Sequence, residues 1–224
     1  MSQPESVFDL RLCLITDRAF CPPERFLPIL AESLDAGVTW VQYREKRGLD
    51  DRASFELALQ VRELTRARGI PLVVDDRLDL ALAIDADGMH VGQRDLPVPV
   101  IRKLWPHIPL LGLTVSTLAQ VEEACQLGVD YLGAGAFPTQ TKLDCITIGT
   151  PGLQTFVAQG GLPVIATGGV KPENTRELIA TGCAGVAVVS AIWAAERPGE
   201  IVQTLRREID AGLAGPAPVQ ACRT

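Results

Sequence analysis

Short apolar runs recur eight times along this 224-residue chain, each followed by a longer stretch with helical spacing of its apolar positions. That alternation narrows the fold more than any other feature. Parallel strands need a crossover of roughly a dozen residues or more, and a helix lying on the sheet supplies it. Strands are predicted near 12–15, 40–44, 72–74, 88–91, 110–113, 131–133, 164–166 and 186–189, with helices over 28–34, 55–67 and 117–127. Gly37, Gly69 and Gly128 follow those helices, where glycine takes the left-handed conformation without steric cost. Pro71, Pro109 and Pro163 then restart strands, and Asp85-Ala-Asp87-Gly88 and Gly128-Val-Asp130-Tyr131 repeat one turn device between helix and strand.

Eight such units without a second composition block predict an α/β fold, a single-domain (β/α)8 TIM barrel over residues 1–210, rather than an open doubly wound sheet. Residues 211–224, rich in Ala, Gly and Pro, read as a flexible C-terminal tail.

A net charge of −6 argues against nucleic acid and anionic membrane as partners, because both demand a cationic surface. No apolar run spans a bilayer, and residues 1–10 lack a basic flank followed by an apolar core, so a cytoplasmic location is expected. Six scattered cysteines without a Cys-x-x-Cys pair imply reduced thiols. With only His90 and His107 in the inventory, a bound metal would be a hard, oxygen-seeking ion such as Mg²⁺.

In this architecture the loops after the strands build the site, and the polar residues collect there. Thr16 and Asp17 follow the first strand, and Gln42, Arg44 and Lys46 follow the second at alternate positions that share one face of an extended chain. Asp75 and Asp76 end the third, where adjacent carboxylates resist joint burial unless a cation relieves them, the competing reading being a helix cap. Asp95 lies after the fourth strand, also a candidate cap, and Thr114 and Ser116 after the fifth. Thr139, Thr141 and Lys142 lie in a long loop over 135–149 that reads as a lid. Gly168-Gly169 and Val189-Ser190 fit the phosphate cradle that barrels place beyond strands seven and eight. Trp40, Trp105 and Trp193 read as packing residues, His107 as a surface loop residue, and His90 as packing or orienting rather than catalytic.

The segments Leu14-Ile-Thr-Asp17, Val41-Gln-Tyr-Arg-Glu-Lys46, Val74-Asp-Asp-Arg77, Ala86-Asp-Gly-Met-His-Val-Gly-Gln-Arg-Asp95, Phe137-Pro-Thr-Gln-Thr-Lys142, Gly168-Gly169 and Val188-Val-Ser-Ala-Ile192 occur in this order. As a set they resemble the thiamine-phosphate synthase family. The resemblance implies a transferase that joins 4-amino-2-methyl-5-(diphosphooxymethyl)pyrimidine to 4-methyl-5-(2-phosphooxyethyl)thiazole, or its carboxylated form, releasing diphosphate. It also implies one Mg²⁺ per site on Asp76 and Asp95, with Arg44, Lys46 and Lys142 as the catalytic cations. Gln42, Tyr43, Arg44, Glu45, Lys46, Asp75, Thr114 and Lys142 would surround the pyrimidine diphosphate. Thr139, Thr141, Gly169, Val189 and Ser190 would hold the thiazole phosphate. Small-molecule partners are expected, and self-association is left open.

Three departures stand out. Asp75 occupies a position where the family usually has asparagine, Thr114 replaces a common serine, and the stretch over 135–138 is one residue short. The alternatives are a thiazole tautomerase of the same barrel family, whose expected histidine near Ser116 is missing here, and a non-catalytic binder of thiamine precursors.

Overall fold

The computed structural model describes residues 8–139 and 146–214. Eight parallel strands close into a barrel in sequence order, each pairing with its neighbours in the chain and β1 with β8. The order is β1 (Leu12–Ile15), α1 (Pro23–Ala36), β2 (Trp40–Tyr43), α2 (Asp51–Arg66), β3 (Leu72–Asp75), α3 (Leu78–Ala83), β4 (Gly88–Val91) and α4 (Val98–Leu104). It continues with β5 (Leu111–Val115), α5 (Leu118–Leu127), β6 (Tyr131–Gly135), α6 (Gly149–Gly160), β7 (Val164–Thr167), α7 (Pro172–Ala180), β8 (Gly185–Val188), α8 (Ser190–Trp193) and α9 (Pro198–Leu213). The predicted (β/α)8 barrel is the observed fold.

Two apolar layers follow from the two-residue period of a strand. Leu12, Leu14, Val41, Tyr43, Leu72, Val74, Met89 and Val91 point outward and pack beneath the helices. Cys13, Trp40, Val73, Tyr131, Ile165 and Ala187 point inward and fill the barrel. Fully burying one large aliphatic or aromatic side chain contributes roughly 1.5–3 kcal/mol, so the outer layer carries most of the stability. The inner layer has to leave room for a site. Gly112 provides some of it, since a Cβ there would lie 2.1 Å from the Tyr131 ring and 2.5 Å from His90 Nδ1.

Local chemistry sets the helix ends. Asp50 caps α2 by accepting the Ala53 N–H at 2.8 Å, and Thr117 caps α5 by accepting from Gln120. α1 begins five residues before the predicted start, with Pro23 at its first position, where a missing N–H costs nothing, and it carries Pro28 within its length. α9 runs to Leu213, past the expected end of the barrel at 210. Gly212 permits this, because a Cβ there would meet the Ile179 side chain of α7 at 2.8 Å.

The seam between the last and first strands is tied by Trp193 in α8. Its ring stacks on Phe26 of α1 at 4.6 Å, and its Nε1–H donates to the Ile15 carbonyl at 2.8 Å. Trp193 is thus a packing residue, as expected. Cys13, Cys21, Cys125 and Cys183 are free thiols. Among the described residues no helix is long and apolar enough to cross a membrane.

Candidate active site

A cavity opens where the strands end, over an apolar floor that includes Ile15, Trp40, Tyr131, Ile165 and Ala187. Its walls bring together Gln42, Arg44, Asp75, Thr114, Thr139, Gly169, Val189 and Ser190, eight of the residues singled out from sequence. Thr141 and Lys142 lie outside the described residues. Trp40 packs, as expected, and also floors the cavity, because it shares the inward face of β2 with Gln42.

Gln42 and Asp75 are neighbours across β2 and β3. The Gln42 amide donates to Asp75 Oδ1 at 2.6 Å, and Arg44 Nε stands 3.4 Å from Asp75 Oδ2. Burial pushes the Asp75 carboxyl up to about 7, and the charge of Asp76 adds to the shift against the pull of Arg44 and Lys46. The cap reading fails for Asp75, since α3 begins after Arg77 with no side-chain cap.

Asp76 follows with a φ of 60°, a left-handed backbone that costs a non-glycine residue on the order of 1 kcal/mol or more. That turn throws its carboxylate back across the rim. There it meets the carboxyl of Asp95 and the ammonium of Lys46; burial and Asp95 raise its pKa while Lys46 lowers it. Asp95 in turn accepts the Gly92 N–H at 2.7 Å, which folds the β4 loop and aims the carboxyl. It does not cap α4, whose N-terminus is held by Pro97.

Two residues of the expected binding set face elsewhere. The Tyr43 ring is buried in the outer layer, where its hydroxyl donates to the Ser54 carbonyl of α2 at 3.1 Å. It sits one residue out of phase with Gln42, so it cannot enter the mouth. Glu45 is held by Arg18 through contacts of 2.6 and 3.2 Å. Arg44, Glu45 and Lys46 themselves lie past the end of β2, so the shared strand face expected for Gln42, Arg44 and Lys46 stops at Gln42. Lys46 reaches the rim from the loop instead.

His90 holds rather than attacks. Its ring nitrogens lie 3.0 Å from the Tyr131 hydroxyl and 2.8 Å from Thr114 Oγ1, and Gln93 donates to the Thr114 carbonyl at 2.7 Å. Thr114 is thereby fixed on both its side chain and its backbone. Sequence alternation could have shown His90 as inward-facing, since it pairs in register with Asp75 on one side and Gly112 on the other.

Opposite the acids, Gly168 and Gly169 adopt φ values of 80° and 63°. A Cβ on Gly169 would lie 2.8 Å from Phe137 Cβ, so the β6 and β7 loops touch only because no side chain intervenes. The Gly168 carbonyl accepts from Phe137 N–H and the Gly169 carbonyl from Asn174 Nδ2, which fixes both peptide planes.

The model of the family described as Thiamine monophosphate synthase matches residues 12–192. The chain belongs to that family. A thiamine-phosphate synthase of Desulfitobacterium hafniense is 42% identical over 192 residues, covering 85% of this chain and 92% of that protein. One from Lacticaseibacillus paracasei is 43% identical over 206 residues, covering 92% and 96%. The solved thiamine phosphate pyrophosphorylase of Pyrococcus furiosus superposes with a TM-score of 0.84 at 37% identity, covering 92% of this chain and 98% of that one. Membership in the thiamine monophosphate synthase family makes the activity a transferase reaction of thiamine biosynthesis, the condensation that yields thiamine phosphate, acting on small-molecule substrates.

Proposed function

We propose that the transfer takes place at this mouth by departure of diphosphate from the pyrimidine methylene, followed by capture of the resulting carbocation by the thiazole nitrogen. One observation carries the reading. Asp76 and Asp95 face each other with a lysine ammonium against Asp76, an arrangement of like charges that calls for a cation. Among the described residues no cluster of three or more His, Cys, Asp or Glu side chains could hold a metal. A pair of carboxylates suits Mg²⁺, which commonly takes one or two from the protein and completes its shell with water and phosphate oxygens. When bound, the ion would neutralise charge on the leaving diphosphate.

Arg44 and Lys46 add fixed positive charge from the β2 loop, and Lys142 is assigned with them. Charge aimed at a leaving anion in a half-buried site lowers the barrier more than the same charge in water. Gln42 and Thr114 would orient the aminopyrimidine, with Thr114 locked by His90. Thr139, Thr141, Gly169, Val189 and Ser190 would hold the thiazole phosphate, so that the ring nitrogen waits in line with the reacting carbon. The apolar floor excludes water that would otherwise capture the carbocation. No protein nucleophile is required.

Purified protein given both precursors and Mg²⁺ should release diphosphate and form thiamine phosphate, and a chelator should stop both. Undiminished turnover in chelator would remove the metal from the scheme and leave Asp76 and Asp95 without a role.

A further inference from the structure

The Thr16-Asp17 pair, prominent in sequence, has no part in the scheme above. The structure shows what it touches. Thr16 N–H donates to the Gln42 carbonyl at 2.9 Å, prolonging the β1–β2 ladder. Its hydroxyl accepts the Arg44 N–H at 2.8 Å and donates to the Arg44 carbonyl at 3.0 Å. The backbone of Arg44 is therefore clamped from one side chain.

Asp17 accepts the Ala19 N–H at 3.0 Å and both forks of Arg47 at 3.0 and 3.1 Å, while Arg44 Nη1 stands 3.7 Å from Asp17 Oδ2, which it shares with Arg47. Its side chain is 2% exposed. Burial alone would raise its pKa, yet the Arg47 bonds, the Ala19 N–H and the nearby Arg44 hold it below the ordinary aspartate value, so it is ionised. The second ion pair of these loops runs the other way, from Arg18 to Glu45. Each loop gives an acid to the other's arginine.

Arg44 is the member of this clasp that lines the cavity, and its guanidinium lies between Asp17 at 3.7 Å and Asp75 at 3.4 Å. We propose that Asp17 is a positioning residue that competes with Asp75 for the Arg44 guanidinium and so keeps it from closing on Asp75, leaving its charge for the diphosphate. Without the Asp17 charge, Arg44 is left to pair with Asp75 alone, and its charge is spent there. The inference rests on the assignment of Arg44 to the diphosphate.

Steady-state kinetics of four variants test it. Arg44→Gln tests the assignment itself: without a loss of kcat/KM for the pyrimidine diphosphate, that assignment falls. Given such a loss, Asp17→Asn, which keeps an acceptor for Ala19 N–H, should lower kcat/KM for the pyrimidine diphosphate about tenfold and leave KM for the thiazole phosphate unchanged. Added to Arg44→Gln it should cost nothing further, because the group it positions is already gone. Arg18→Ala breaks the other ion pair and should leave the kinetics within twofold. If Asp17→Asn melts early, the kinetics are read well below its melting temperature, where the folded variant must show the same one-substrate loss. Additive losses in the double variant, equal losses for both substrates, or an Arg18→Ala effect as large as that of Asp17→Asn would each overturn the proposal in favour of simple loop cohesion.

Discussion

Aspartates occur at both ends of this barrel, and the company they keep differs. At the N-terminal end, Asp87 accepts the Leu72 N–H of β3 at 2.8 Å and takes both forks of Arg62 from α2. Asp130 accepts the Leu111 N–H of β5 at 2.7 Å beside Arg102. Each is tied to a strand amide and an arginine, and each staples a helix-to-strand turn. At the C-terminal end, Asp75 is crowded by Asp76, and Asp76 by Asp95, so burial and repulsion raise the pKa values of Asp75 and Asp76. The same residue type is a fastener at one end and a ligand in waiting at the other. What separates them is a second carboxylate close by, which Asp75 and Asp76 have in addition to a basic partner.

The difference can be broken by substitution. Asp76→Ala should cost about a thousandfold in kcat, roughly 4 kcal/mol in the barrier, while the melting temperature holds or rises, because a repulsive contact is removed. A stability loss as large as the activity loss would make Asp76 a fastener after all.

Asp75→Asn sharpens the contrast through pH. Below about pH 4 the carboxyl is neutral in folded and unfolded chains alike. Between there and about 7 the folded chain alone keeps the proton, so stability falls as pH rises through that window. The ceiling is about 4 kcal/mol at about 1.4 kcal/mol per unit. Metal-free Asp75→Asn should therefore melt higher than the parent at pH 8, with the gap closing by pH 4. A constant gap across that range would remove the titration from the account.

Asp87→Ala should lower unfolding stability in urea by about 3 kcal/mol, since it leaves the Arg62 charge and the Leu72 amide without their acceptor. The kcat of the folded protein should not change. Arg102→Ala, at a more exposed pair, should cost under about 1 kcal/mol in the same measurement.

The barrel was legible because hydrophobic period, glycine stops and proline starts all agree along the chain. Strand ends were less so. β5 runs to Val115, beyond its predicted limit at 113, because the inward position there is Thr114 rather than an apolar residue. Such positions serve the cavity, and hydropathy does not record them. The site's acids, bases and glycines were readable from their places after strands. Tyr43 turns away from the mouth because a strand sends alternate side chains to opposite faces, and Glu45 lies past the strand, where Arg18 claims its carboxylate. The pairing of Asp17 with Arg47 was invisible, since it depends on β1 and β2 standing side by side.

The Trp193 contact with the Ile15 carbonyl bears on how the protein is made. A ribosome builds the first strand early and the tryptophan that closes it late, so the opening strand must wait for nearly the whole chain to emerge. Closure depends on contacts remote in sequence, which form slowly. A nascent fragment ending before Trp193 would carry every acidic residue of the mouth and the strand that pairs with β1, yet lack the side chain that ties that seam to α1.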